Sequence, residues 1–129
     1  MNKEFIPYEQ ALELKELGFN DLCLFYYGGN EVLRIYHQSE IEEDLIGAPL
    51  YQQTFRWFRE KYNLDSHIRT YPHPNEPKRY EWHITGLPIS FEVDKPSEKI
   101  EYFIYEEAEL SCLKKLIEIA KKYEEGSKM

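Results

Sequence analysis

Two histidines, His67 and His83, are the residues whose type and spacing best suggest a chemistry in this chain. They lie in residues 67–85, HIRTYPHPNEPKRYEWHIT, where two alternating runs flank a proline-rich loop. A hairpin register that sets Ile68 opposite Trp82 on an apolar face also sets His67 opposite His83 on the other face. Two neighbouring imidazoles are able to bind one metal ion, because neutral imidazole is a common ligand of transition metals.

A complete metal site at this pair requires more than two ligands. Zinc sites use three or four protein ligands, and Glu81 or His37 is a conceivable third one. The chain has no HxxxH, HExxH or CxxC spacing, so the alternative is that His67 and His83 are two surface histidines without a ligand. A metal at His67 and His83 is therefore one of three functional hypotheses, and no other cofactor is predicted.

Other residue types that carry chemistry lack the surroundings that catalysis requires. Cys23 and Cys112 are far apart in sequence, and each resembles a small buried apolar residue. The pair Gly28-Gly29 precedes no helix at the spacing of a phosphate-binding loop. The loop at residues 72–77 is either a functional loop or a rigid, proline-flanked connection between strands. The sequence thus favours a protein that is not an enzyme.

Helical patterns occur near both ends of the chain. The first helix begins at Pro7 and ends at Gly18, residues that fit the first helical position and the C′ position. Phe19 is then expected to cover Leu14 in a Schellman motif. The last helix, residues 106–124, combines a broad apolar arc with acidic residues in its first turn and lysines in its last turns.

A middle helix, residues 50–62, contains the aromatic and basic stretch QTFRWFREKY. At 100° per residue its rings fall within an arc of roughly 160°, whereas Arg56 and Arg59 fall on the opposite side. The rings are therefore predicted to be core and the two arginines to be a solvated face. Lys61 falls within the apolar arc, and we expect its ammonium to extend outward from the helix end.

Three hairpin patterns fill the remaining chain. They have turns at residues 28–30, 72–77 and 95–97. The third hairpin pairs Ile89 with Ile104 and Phe91 with Tyr102, and it sets Glu92 opposite Glu101. We predict an α+β fold, with a mainly antiparallel sheet of about six strands and three helices in one pair of layers.

The length of 129 residues fits one domain, so we predict a single globular domain over residues 1–129. The tail at 124–129 is expected to be frayed. No cationic leader followed by an apolar run is present, and no segment approaches about 18 consecutive apolar residues. The sequence therefore predicts a cytoplasmic protein with no membrane contact.

The chain is acidic, with 16 Lys and Arg against 24 Asp and Glu and a net charge of −8. This charge opposes contact with phosphate backbones, and it is compatible with binding a basic partner, with imitation of DNA or with an ordinary solvated acidic surface. The leading hypothesis is a non-enzymatic protein that binds another protein, with Glu42, Glu43 and Asp44 as the predicted contact. The eleven tyrosines support it, because tyrosine is enriched in interfaces.

Nucleic-acid binding is the third hypothesis. A second helix lying beside the strand of Arg69 would merge five basic residues into one strip, and tyrosines would be able to stack on bases. Those basic residues are Arg56, Arg59, Arg69, Lys78 and Arg79. The expected binding is weak and sensitive to salt.

Three stretches resemble a known group of sequences. FIPYEQALELKELGF, APLYQQTFRWFREKY and YEEAELSCLKKLIEI, in this order, resemble small uncharacterised proteins encoded by phages and prophages of Bacteroidota. The resemblance covers both ends and the middle of the chain but not the histidine pair. It implies no activity or cofactor, and it implies a protein that works in the cytoplasm of a bacterial host, with a host or phage protein as its partner.

Overall fold

The computed structural model describes residues 4–21, 23–28, 31, 33–35, 46–86 and 102–127. In this part of the chain the elements are α1 (Tyr8–Glu16), β1 (Phe25–Tyr27), β2 (Leu33–Ile35), β3 (Ile46–Gly47), α2 (Tyr51–Tyr62), β4 (Leu64–His73), β5 (Glu76–Gly86) and α3 (Tyr105–Ser127). Backbone proximity divides the chain into two compact units, unit 1 (Met1–Thr54) and unit 2 (Phe55–Met129). That the whole chain is one domain stays a prediction.

The fold is α+β, but the predicted single sheet of about six strands is wrong. The described strands form two separate antiparallel sheets, one of three strands in the order β2-β1-β3 and one of two strands, β4-β5. Turn residues and alternation specify which consecutive strands form a hairpin. The joining of hairpins into one sheet depends instead on edges and packing, which alternation does not encode.

The third predicted hairpin has its first strand and its turn outside the described residues, so its pairing stays a prediction. Tyr102, which was predicted to belong to its second strand, forms an antiparallel bridge with Tyr80 of β5. The backbone then bends at Phe103 and Ile104, and α3 begins at Tyr105.

In unit 1, the end of α1 confirms the predicted Schellman motif. Gly18 has a φ of 101°, which favours glycine. The backbone N–H of Phe19 donates to the carbonyl of Leu14 at 2.9 Å, and that of Gly18 donates to Lys15 at 3.0 Å. α1 begins one residue later than predicted, because Pro7 is the N-cap rather than the first helical residue.

The strands of unit 1 pack against the segment that precedes α1. The Tyr27 hydroxyl donates to the Ile6 carbonyl at 2.7 Å, and the Ile6 N–H donates to the Pro49 carbonyl at 2.9 Å. β3 is a strand that the sequence did not indicate, because two residues are too few to show alternation. It lies on the other side of β1 from β2, so both edges of β1 are paired.

The aromatic helix α2 has the orientation that its sequence predicts. Trp57 and Phe58 are buried, whereas Arg56 and Arg59 are exposed. The ammonium of the exposed Lys61 lies 5.0 Å from the centre of the Trp57 ring, in a cation–π contact. The rings are therefore core, and the arginines are a solvated face.

In unit 2, the β4-β5 hairpin has the predicted register from Leu64, opposite Gly86, to Tyr71, opposite Arg79. The connection is shorter than predicted, because β4 continues to His73 and leaves a two-residue turn at Pro74 and Asn75. α3 packs on the face of the hairpin that carries Trp82. It continues to Ser127, three residues beyond the predicted end. Buried residues of α3 are Ala108, Cys112, Leu113, Leu116, Ile117 and Ala120.

Candidate functional site

The histidine pair lies where the sequence places it. His67 and His83 are directly opposed across β4 and β5, on the face that points away from Trp82. Their rings stack with centroids 5.2 Å apart and planes inclined by 13°. His67 is exposed, whereas the side chain of His83 is only 15% exposed. The predicted adjacency of the two imidazoles is confirmed.

The geometry of the pair restricts its use as a metal site. The lone pairs of imidazole lie in the ring plane, so two nearly parallel rings hold their lone pairs in two separate, nearly parallel planes. One ring must therefore turn before both imidazoles reach one ion. Glu81 Oε1 lies 3.5 Å from His83 Nε2. Among the residues that the structure describes, no three His, Cys, Asp or Glu side chains are grouped to hold a metal ion. His37 lies outside those residues.

A metal at His67 and His83 therefore stays a prediction, and it has a direct test. Zinc is titrated into protein purified without a histidine tag, and the variant His83→Ala is titrated in parallel. One equivalent of zinc bound by the parent and lost in the variant would support the site. Equal uptake by both proteins would dismiss it.

The predicted partner contact at Glu42, Glu43 and Asp44 lies outside the described residues and also stays a prediction. Charge reversal at Glu42 and Glu43 tests it, because partner binding that is unchanged by the reversal would exclude this segment.

The two cysteines are buried, as predicted. Cys23 is 3% exposed and Cys112 is fully buried. Burial raises the pKa of the Cys23 thiol to about 11 and that of the Cys112 thiol to about 12. A thiol is nucleophilic as its thiolate, so neither residue has the surroundings of a reactive cysteine.

Phe103, Ile104 and Tyr105 form an apolar ridge, which is a run of exposed apolar side chains in the described part of unit 2. These three consecutive residues are 62%, 47% and 42% exposed. Single exposed apolar residues are ordinary on a protein surface, whereas a contiguous apolar patch is typical of an interaction site. The ridge is therefore the strongest candidate for a binding surface in the described part of unit 2.

The residues beneath the ridge hold it in place. Tyr102 exchanges backbone hydrogen bonds with Tyr80, at 2.7 and 2.9 Å. Its hydroxyl donates to Ser111 Oγ at 2.6 Å, and the same oxygen accepts a hydrogen bond from Trp82 Nε1 at 3.0 Å. The ring of Tyr105 contacts that of Tyr80 edge to face, with centroids 5.5 Å apart. The chain therefore enters and leaves the ridge at fixed points.

A single arginine lies against one end of the ridge. The guanidinium carbon of Arg79 lies 5.5 Å from the centre of the Phe103 ring. Arg79 also forms an ion pair with Glu76 at 2.8 Å, which orients the guanidinium and offsets its charge. This end of the ridge has little net charge.

Carboxylates accumulate at the other end of the ridge, in the first turns of α3. Glu106 and Glu107 follow Tyr105 directly, and Glu109 is half-buried one residue after Ala108. Burial and, secondarily, the charge of Glu106 raise the pKa of Glu109 to about 7. The pKa of Tyr105 is also raised, first by burial and then by Glu109. The apolar ridge thus borders a region of crowded negative charge.

Comparison with known proteins adds no further constraint. No family model matches the chain, and no curated protein or solved structure is significantly similar to it. The resemblance to phage and prophage proteins therefore stays a prediction.

Sequence reasoning did not find the apolar ridge. It assigned residues 102–104 to a strand, in which alternate side chains would face the core. The signal that was present is Phe-Ile-Tyr immediately before two glutamates, since a strand with only one face on the core buries alternate residues and leaves part of such a run exposed. Among the described residues, no helix is both long enough and apolar enough to cross a membrane.

Proposed function

We propose that this chain is a non-enzymatic binding protein whose apolar ridge docks a basic, partly apolar segment of another protein. The observation that carries the proposal is the exposure of Phe103, Ile104 and Tyr105 above a hydrogen-bonded base. Interfaces are enriched in aromatic residues and arginine, and their binding energy is concentrated in a few such anchors. Phe103 with Arg79 beside it is an anchor of this kind.

The charge distribution supports a partner that is basic rather than acidic. Glu106, Glu107 and Glu109 lie next to the ridge, and the whole chain carries a net charge of −8. A cationic segment would lower the repulsion among these carboxylates, whereas an acidic segment would increase it. The proposed partner segment therefore combines one or two large apolar side chains with lysine or arginine. We place the partner among host or phage proteins of a bacterial cytoplasm, which is the setting that the sequence resemblance implies.

The test uses the affinity-tagged full chain as bait in host lysate, with and without nuclease, followed by mass spectrometry. The partner that it identifies is then purified, and its affinity for three variants is measured by calorimetry. Phe103→Ser removes the anchor and is expected to weaken binding by about tenfold or more. The double variant Glu106→Lys/Glu107→Lys is expected to weaken binding more at low salt than at high salt, because salt screens the charges that it reverses.

The matched control is Leu24→Ser, because Leu24 is 71% exposed but belongs to unit 1. This variant is expected to bind as tightly as the parent. Equal affinity of the parent and Phe103→Ser would refute the ridge as the binding surface. Capture that disappears with nuclease would favour the nucleic-acid hypothesis instead.

A further inference from the structure

We propose that unit 1 carries a second binding site, for a free amino acid with an apolar side chain, in a cleft at the end of α1. The cleft has a volume of about 360 Å³. Small-molecule sites occupy about 300 to 1,000 Å³, so this cleft matches a ligand at the small end of that range. Its lining residues are Ala11, Lys15, Gly18, Phe19, Asn20, Asp21, Tyr26 and Gly47.

The cleft has an apolar floor. Ala11 and Phe19 are buried, and they line the side formed by α1 and the residues that follow it. Gly47 of β3 also lines the cleft. A Cβ at this position would lie 3.0 Å from Cys23 Sγ and 3.7 Å from the ring of Tyr26, so these two side chains pack closely against the Gly47 backbone. Ala11 and Phe19 therefore supply the apolar surface that a ligand would contact.

The backbone around the cleft is fixed by local hydrogen bonds. The N–H of Cys23 donates to the Tyr26 hydroxyl at 3.3 Å, and the Cys23 thiol donates to the Asp21 carbonyl at 3.4 Å. On the α1 side, the N–H of Gly18 donates to the Lys15 carbonyl at 3.0 Å. The backbone that carries Lys15 and Asp21 is therefore ordered before a ligand binds, which lowers the entropy that binding costs.

One cation and one carboxylate line the same cleft, and this pair defines the class of ligand. The exposed side chains of Lys15 and Asp21 carry opposite charges. A ligand with only an anionic group would be repelled by Asp21, and a ligand with only a cationic group would be repelled by Lys15. A zwitterion satisfies both, with its carboxylate toward Lys15, its ammonium toward Asp21 and its side chain on the Phe19 floor.

The experiment is a titration of the full chain with the twenty free amino acids, observed by two-dimensional NMR of the backbone amides. At least one amino acid with an apolar or aromatic side chain is expected to shift the amides around the cleft, with a Kd below about 1 mM, which corresponds to modest binding. The N-acetyl and methyl ester derivatives of that amino acid each lack one charge. Each derivative is expected to bind about tenfold more weakly than the parent amino acid.

Variants separate the proposed contacts from general effects on the fold. Lys15→Gln and Asp21→Asn both change exposed side chains, and each is expected to weaken binding about tenfold while the amide spectrum stays folded. Lys122→Gln, at an exposed position of unit 2, is the control and is expected to leave binding unchanged. No shift with any amino acid at about 10 mM, or equal binding by Lys15→Gln and the parent, would overturn the proposal. The site shares no residue with the apolar ridge, so the two proposals succeed or fail separately.

Discussion

Removing the hydroxyl of Ser111 tests whether the hydrogen bonds beneath the apolar ridge hold unit 2 together. Ser111 Oγ accepts hydrogen bonds from Trp82 Nε1 and from the Tyr102 hydroxyl. In the variant Ser111→Ala, the indole N–H of Trp82, a residue only 5% exposed, loses its acceptor. Leaving a buried donor unsatisfied costs about 1 to 3 kcal/mol.

Two further contributions set the size of the expected change. The half-buried Tyr102 hydroxyl is able to turn toward water, so the loss of its hydrogen bond to Ser111 Oγ adds only about 0.5 kcal/mol to the cost. Alanine has a higher helix propensity than serine, which offsets about 0.5 kcal/mol. We therefore expect the free energy of unfolding to fall by about 1 to 3 kcal/mol, with a central value of about 2 kcal/mol. For a chain of this size, that loss lowers Tm by roughly 5 to 10 °C.

Urea unfolding followed by tryptophan fluorescence measures this change. Both tryptophans, Trp57 and Trp82, belong to unit 2, so the signal reports on that unit. Tyr102→Phe and the double variant complete a cycle, and we expect a coupling of about 0.5 to 1 kcal/mol between positions 102 and 111. A Ser111→Ala variant as stable as the parent would show that the two hydrogen bonds contribute no more than the gain in helix propensity of about 0.5 kcal/mol, and it would refute the reasoning.

Three other predictions follow from single contacts. Because the pKa of Glu109 is raised to about 7, the folded state holds this proton more tightly than the unfolded chain. Stability should therefore fall as pH rises from about 4.5, the ordinary pKa of a glutamate, to about 7, the raised pKa of Glu109. Glu109→Gln should remove that part of the slope in urea unfolding, and a slope identical to that of the parent would contradict the assignment. Gly18→Ala should lower the free energy of unfolding by about 1 kcal/mol, because φ at this position is 101°. Gly126→Ala is the matched control for Gly18→Ala. It should raise the free energy of unfolding by up to about 0.5 kcal/mol, since a Cβ at position 126 meets no atom within 4 Å. Lys61→Met should cost about 0.5 to 1 kcal/mol through loss of the cation–π contact with Trp57, and a fluorescence spectrum and stability equal to those of the parent would contradict it.

The features that the sequence predicted correctly depend on neighbours along the chain. Gly18 with Phe19 determines the end of α1, because the Schellman motif involves only the last turn of a helix. The β4-β5 register follows from alternation, because a slip by one residue would exchange Trp82 with His83 on the buried face.

The features that the sequence missed depend on distant parts of the chain. β3 pairs with β1 from about twenty positions away, and its two residues carry no periodic signal. Tyr102 pairs with Tyr80 of β5, a contact that the sequence did not indicate, and the residues that follow Tyr102 form the exposed apolar ridge. The histidine pair was found because it lies within one hairpin. The cleft of unit 1 was not found, because it forms between α1 and strands that follow it in sequence.

The chain has two cysteines, and one buried thiol belongs to each unit, Cys23 to unit 1 and Cys112 to unit 2. A thiol reagent reacts with such a group only when the surrounding structure opens, so its rate reports the opening free energy of that neighbourhood. The variant Cys23→Ser retains only the thiol of unit 2, and Cys112→Ser retains only the thiol of unit 1. The two variants would thus give one labelling rate for each unit without the introduction of a new cysteine. Equal rates across a urea series would mean that the two units open as one cooperative body, and separate rates would identify the unit that opens first.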